Sequence, residues 1–242
     1  MTDFIATAHP DLVHALRGGI VESFHRGALA IVDADGAALL SLGDVDRPIF
    51  ARSACKVLQA LPLVALGAAD AFGLSDAELA LACASHRGEP GHVATAASML
   101  AKAGLGPLAL ECGAHWPYGE EAQRELARQA ESPSALHNNC SGKHSGFVCV
   151  GCLMARAAGR SAEDFVRGYV EPGHPVMREV SAALAAATGC DLGAAPVGTD
   201  LAEHARPQAL HHQGVKAPGA GHMPGRRRHR CAQPASGARV VG

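Results

Sequence analysis

Residues 145–159, SGFVCVGCLMARAAG, constrain the fold more than any other stretch. They are apolar nearly all round, so a helix made from them has no face to give to solvent and must be surrounded by other elements. The rest of the chain offers candidates for that role. SDAELALACASH (75–86) reads as a helix with Ser75 as N-cap and Glu78 at N3, a capping box. GHVATAASMLAKAG (91–104), SAEDFVRGYV (161–170) and HPVMREVSAALAAATG (174–189) read as further helices, and GEEAQRELARQAE (119–131) as a very polar, exposed one. In RSACKVLQALPLVALG (52–67), Cys55, Leu58, Leu61 and Ala65 fall on one helical stripe, and Pro62 predicts a kink or break. Ahead of this block, GALAIVDADGAALLSLGD (27–44) reads as a β-hairpin. Its two apolar runs, Ala28–Val32 and Ala37–Leu42, flank a DADG turn. GGIVESFHRG (18–27) supplies another strand edge. The order is strands, then a helical block over about 53–190, which is mixed α/β. With 48% hydrophobic but only 4% aromatic residues, the core has to be built mostly from Ala, Leu and Val.

A formal charge of −2 gives no general case for nucleic acid or a membrane surface. No apolar run reaches transmembrane length. The N-terminus lacks a basic-then-apolar leader, so the expectation is a cytoplasmic protein whose eight cysteines are reduced thiols or ligands. Charge is uneven, however. Residues 201–242 hold seven of the 21 Lys+Arg and one of the 23 Asp+Glu, together with ten Gly+Pro. They show no sustained period of 2 or 3.6, and the expectation is disorder. Their GRRRHR cluster lacks aromatic partners and reads as a solvated run rather than a nucleic-acid arm.

Five clusters offer chemistry. In RSACK, Ser53 and Lys56 are i and i+3, so hydroxyl and amine can meet on one helix face. A lysine of depressed pKa can act as base for the serine, and Arg52 adds a nearby cation. Bare S-x-x-K is short, and the alternative is an amphipathic helix start with an exposed lysine. ACASHRGEPGHV (82–93) gathers Ser85, His86, Arg87, Glu89 and His92, a donor-rich loop suited to substrate or simply an interhelical loop. Cys112 and His115 invite a zinc reading, but a single pair favours a packed loop. Cys149 and Cys152 lie among Phe147, Val148, Val150, Leu153 and Met154, where thiols act as small hydrophobes. In LHNNCSGKHSGF (136–147), Cys140, Lys143 and His144 share a helix start. They read either as metal donors or as a helix N-terminus capped by Asn138 or Asn139.

Taken together and in order, RSACKVLQALPLV, ACASHRGEPGHV, LECGAHWP and LHNNCSGKHSGFV resemble the asparaginase II family, over roughly residues 10–200. That is the zinc-containing group with a serine β-lactamase-like fold. The resemblance implies hydrolysis of L-asparagine to L-aspartate and ammonia in a homodimer. It implies Ser53 as nucleophile, Lys56 as base and Ser85 as second active-site serine, with Arg52, His144 and Asp200 shaping the substrate site. Cys140 and Lys143 match two of three zinc ligands. The third follows the aspartate in an Asp-Gly-Cys run, but here Asp200 is followed by Leu201 and Ala202. The expectation is an incomplete family domain over 1–200, lacking the C-terminal part of its sheet, and a non-homologous basic tail over 201–242. The expected cause of the change is a frameshift near codon 200. It predicts that another reading frame of the gene restores Gly-Cys and an apolar continuation.

Overall fold

The structure, a computed structural model, describes residues 9–47 and 49–192, together with the backbone of 197–200 and 208–213. The described residues fall into two compact units, one over 9–45 and the other from residue 46 onward.

In the first unit, β1 (Asp11–Arg17) pairs antiparallel with β2 (Ile20–Arg26), and β3 (Leu29–Val32) with β4 (Ala38–Leu42). The expected DADG hairpin is β3–β4. The Asp33 carboxylate accepts the N–H groups of Asp35 (3.0 Å) and Ala37 (2.8 Å), and Gly36 takes φ +83° to close the turn. The stretch expected as a strand edge is β2, but its partner is β1, in a sheet of its own rather than an extension of β3–β4. Apolar side chains on both hairpins stand exposed, Ile20 at 75%.

The second unit is mainly helical. A 3-10 turn, Arg52–Cys55, leads into α1 (Lys56–Gln59), α2 (Leu61–Ala65) and α3 (Ala68–Ala71). The break expected from Pro62 falls at Ala60, and Pro62 sits in the first turn of α2, where a missing N–H costs nothing. The buried face differs from the expected stripe. Cys55, Lys56, Gln59, Pro62 and Leu63 point inward, while Leu61 and Ala65 are exposed. Turning Lys56 into the interior carries its i+3 and i+7 neighbours with it. Then come α4 (Asp76–Ala82), α5 (Pro90–Lys102), α6 (Glu120–Arg128), α7 (Ser141–Ala157), α8 (Ala162–Val166) and α9 (Pro175–Thr188). The Ser75/Glu78 capping box forms at the start of α4 as expected.

Helix α7 is buried without interruption from Ser141 to Cys152, and α2, α3, α4, α5, α8 and α9 pack against it. Small residues let these helices come close. A Cβ on Gly142 would collide with the carbonyl and side chain of Leu81 at the end of α4, and one on Gly151 would lie 2.8 Å from Val166. This is how a core with few aromatics closes: the backbones approach, and Met99, Leu100, Val148, Val150 and Val176 fill what remains. Cys149 and Cys152 are core thiols, pushed up to about 12 and about 11, mainly by burial.

Strands β5 (Val197–Asp200) and β6 (Gln208–Gln213) pair antiparallel. Strand β6 lies in the stretch expected to lack regular structure; ladder bonds are made by the backbone and ask for no side-chain period. The rest of 201–242, including GRRRHR, lies outside the described residues. The architecture is mixed α/β.

Candidate active site

The centre is set by the inward turn of Lys56. Its Nζ donates to the Ala84 carbonyl (2.9 Å), the Ser85 hydroxyl (2.7 Å) and the Asn139 carbonyl (3.3 Å). An ammonium has three N–H donors, and all three are used. The Ser85 hydroxyl donates in turn to Ser53 Oγ at 2.7 Å. The sequence expectation that Ser53 and Lys56 meet across one helical turn is therefore corrected. They communicate through Ser85, from a different segment, because Lys56 points into the protein while Ser53 stays exposed. Arg52, just before Ser53, sits at φ +49°, left-handed backbone that costs a residue other than glycine about 1–2 kcal/mol. Such strain gathers at functional sites.

Three segments converge on this centre. The loop after α4 carries Ser85 and His86, and the Asn139 carbonyl accepts the His86 N–H (3.2 Å) as well as Lys56. His86 is buried. Its Nδ1 accepts the Gly88 N–H (3.2 Å) and its Nε2 lies 2.9 Å from the Ser141 hydroxyl, which itself donates to the Leu136 carbonyl. Burial first, and then the neighbouring His92, Lys56 and His115, push its pKa down to about 4, so the ring is a neutral strut. Glu89 and His92 close a capping box on α5, and Arg87 donates to the Tyr118 carbonyl. Most of the donor-rich loop is thus structural, with Ser85 the member that faces the centre.

The Asn138 side chain joins the other two segments. Its Nδ2 donates to the carbonyls of Cys112 (2.8 Å) and Gly113 (3.1 Å), and its Oδ1 accepts the Cys140 N–H (2.8 Å). Cys140, rather than an asparagine, occupies the cap position of α7. Cys112 is buried, turns its thiol to the Ala135 carbonyl and is raised to about 12, chiefly by burial. Both nitrogens of His115 are already engaged. The Cys112/His115 pair therefore packs a loop.

Lys143 is buried on the first turn of α7, and its Nζ lies 5.6 Å from the centroid of the Phe147 ring. Burial lowers its pKa, opposed by the thiol of Cys140 and reinforced by Lys56. Gln59, Leu63, Ala82, Phe147 and Val150 line a small pocket with it. His144, beside it, places Nδ1 2.7 Å from the Tyr169 hydroxyl, which also accepts the Glu111 N–H (3.0 Å). Burial holds the Tyr169 phenol well above its usual range and His144 well below its own. The phenol thus donates to Nδ1, and Nε2–H is left without a partner among the described residues. Cys140 and Lys143 have the donor chemistry for zinc, a thiol beside an amine pushed toward its neutral form. The third position holds Leu201–Ala202, and no three His, Cys, Asp or Glu side chains converge among the described residues. Cys140 and Lys143 by themselves supply two donors. Asp200 ends β5, and its side chain lies outside the described residues.

Sequence reasoning assigns other roles to Asn139, whose carbonyl holds Lys56, and to the connectors Asn138 and His115, and it does not single out Ser141 or Tyr169. The paired asparagines invited a capping role, and a main-chain acceptor leaves no side-chain signature.

No helix of the described residues is long and apolar enough to cross a membrane. Comparison with curated proteins returned no match. The sequence profile of L-asparaginase II, by contrast, matches residues 13–201 and spans RSACK, the Ser85 loop and the Cys140–Lys143 helix start. A match over most of the chain suggests an asparaginase-type amidohydrolase, and on it the chain belongs to the L-asparaginase II family.

Proposed function

We propose that the chain is an L-asparaginase that hydrolyses L-asparagine to L-aspartate and ammonia through an acyl-enzyme on Ser53. The observation that carries this reading is the unbroken Lys56–Ser85–Ser53 chain, with two links of 2.7 Å. Ser53 is the exposed end where a substrate can arrive, and Lys56 is the buried end where a base is shielded from water. In the neutral form, Lys56 takes the Ser85 proton while Ser85 takes that of Ser53. Ser53 Oγ then attacks the side-chain amide carbon. The relay returns the proton to the departing ammonia, and water cleaves the resulting ester by the same route. Arg52, His144 and Asp200 are assigned to shaping the substrate site, as in the resemblance.

The fold that suits this role is the serine β-lactamase-like one, a sheet with a mostly helical region, in a cytoplasmic homodimer. Zinc enters no step. Cys140 and Lys143 would hold it, but with two donors its uptake is substoichiometric, which elemental analysis of the purified chain reads. The family match ends at residue 201, and this supports a family domain over 1–200 followed by an unrelated basic tail. The gene's other reading frames test the frameshift.

The deciding experiment is ammonia release from asparagine and from glutamine, beside the colour change of a chromogenic β-lactam. Turnover of asparagine, abolished in Ser53→Ala, is expected. Turnover of another amide alone moves the chain to a different Ser-Lys hydrolase, and wild-type rates in Ser53→Ala overturn the mechanism.

A further inference from the structure

We infer that His115 is a positioning residue, which holds the Asn139 carbonyl where it can accept from Lys56. The inference rests on the Ser53–Ser85–Lys56 reading and adds to it the group that fixes the lysine. His115 Nδ1 lies 2.7 Å from the Trp116 carbonyl, which can only accept, so Nδ1 carries the proton. Nε2 is then a lone pair, and it receives the Asn139 N–H at 3.0 Å. The same nitrogen is 3.3 Å from the Asn139 side-chain oxygen, Oδ1. The amide's NH2 faces that lone pair when its oxygen and nitrogen are exchanged, an assignment that follows from the hydrogen bonds. Asn139 is thus held through its N–H by the ring, while its carbonyl serves Lys56 and the His86 N–H together.

The alternatives within the same loop are weaker. Asn138 ties the loop to α7 but touches neither Lys56 nor the serines. His115 acts one residue later, on the peptide that bears the acceptor. Trp116 and Tyr118 are exposed, and the Tyr118 ring, 5.0 Å from that of His115, covers it without competing for a nitrogen.

The role predicts a pattern that packing alone does not. His115→Gln places an amide oxygen near the Nε2 position and can still accept the Asn139 N–H. His115→Phe keeps a ring and loses both nitrogens. For asparagine hydrolysis, His115→Phe is expected to lower kcat on the order of 10-fold with KM within about twofold, because a displaced base weakens the chemical step rather than binding. His115→Gln is expected to recover at least about half of that loss on a logarithmic scale.

A second measurement does not depend on turnover. Nitrogen-15 NMR of the Lys56 ammonium is expected to show its protons exchanging with water about threefold or more faster in His115→Phe than in wild type, and near the wild-type rate in His115→Gln. If no amide is turned over but the exchange pattern holds, the functional reading fails and the positioning role stands. Unchanged Lys56 exchange in a folded His115→Phe overturns the positioning role, as does an equal loss in both variants.

Discussion

Two lysines, each three residues after a small polar side chain, sit side by side in this protein and are treated in opposite ways. Lys56 is surrounded by oxygen, with two main-chain carbonyls and a hydroxyl each taking one of its protons. Lys143 shares a small pocket with Gln59, Leu63, Ala82, Phe147 and Val150, and no oxygen accepts a hydrogen bond from its Nζ among the described residues. Both are buried to 3% exposure, so depth does not separate them. Supply of acceptors does. Burial without an acceptor drives the Lys143 amine toward its neutral form. Only Lys56 is connected to Ser53, so it alone is placed to exchange a proton with the serine.

Removing each amine in turn is the strongest way to break this contrast. Lys56→Met is expected to lower asparagine turnover by on the order of 10²–10⁴, the usual span for a lost general base. Lys143→Met, outside the relay, is expected to keep at least about tenfold more activity than Lys56→Met. Steady-state ammonia release measures both. Equal losses would show that the two lysines act as a unit, and the division of roles would have to be abandoned.

A third lysine sharpens the comparison by supplying what Lys143 lacks. Lys102 donates to the buried carboxylate of Glu78 at 2.6 Å and to the Gly73 carbonyl at 2.8 Å, with its own side chain partly in solvent. Burial raises the Glu78 pKa, but hydrogen bonds from Lys102, the Ser75 backbone, Ser98 and the Ser75 hydroxyl outweigh it and bring the group to about 2 from its ordinary 4.5. A depressed carboxylate stabilises the fold above its unfolded value and loses that contribution as pH falls through the folded one. The loss is therefore expected between about pH 4.5 and 2, and amounts to on the order of 3 kcal/mol. Urea unfolding across that window should show the slope in wild type and a flatter profile in Glu78→Gln. Matching profiles would remove Glu78 as its source.

How much of this was legible beforehand follows from what each feature is made of. The helical block, the Ser75/Glu78 box, the Pro62 break and the DADG hairpin are local, written in residues within a few positions of one another, and they stand where expected. The sequence reading takes GGIVESFHRG as a strand edge and does not anticipate the β1–β2 hairpin, although Gly18-Gly19 between two strand-like runs is a recognised turn signal. At the site, residue types were legible but not their connections. Sequence spacing pairs Ser53 with Lys56, whereas the hydroxyl that accepts from the lysine is that of Ser85, 29 residues away. Asn139 contributes a carbonyl, which every residue has. Only the fold could show which one meets Lys56. The buried face of α1–α2 shifted for the same reason, since a polar side chain directed inward defeats a stripe drawn from apolar positions alone.

The smallest expected effect is the most direct test of how Lys143 is held. Its folded pKa lies below the ordinary 10.5, so between the two values the unfolded chain binds a proton that the folded chain does not. Stability must then rise with pH across that interval, because the unfolded state binds more protons there. Below the lowered folded value the contribution is at its most unfavourable, and above 10.5 it vanishes. Raised thiols such as Cys112 act in the opposite direction above their ordinary 9.0, so wild type alone does not isolate the amine. The difference between wild type and Lys143→Met does. Methionine fills a similar volume with nothing to protonate, so at neutral pH the variant is expected to be as stable as wild type or more stable by about 1 kcal/mol. That difference should shrink as pH approaches 10.5. A variant markedly less stable than wild type at pH 7, with a gap independent of pH, would mean that Lys143 has found an acceptor after all, and the two lysines would be alike.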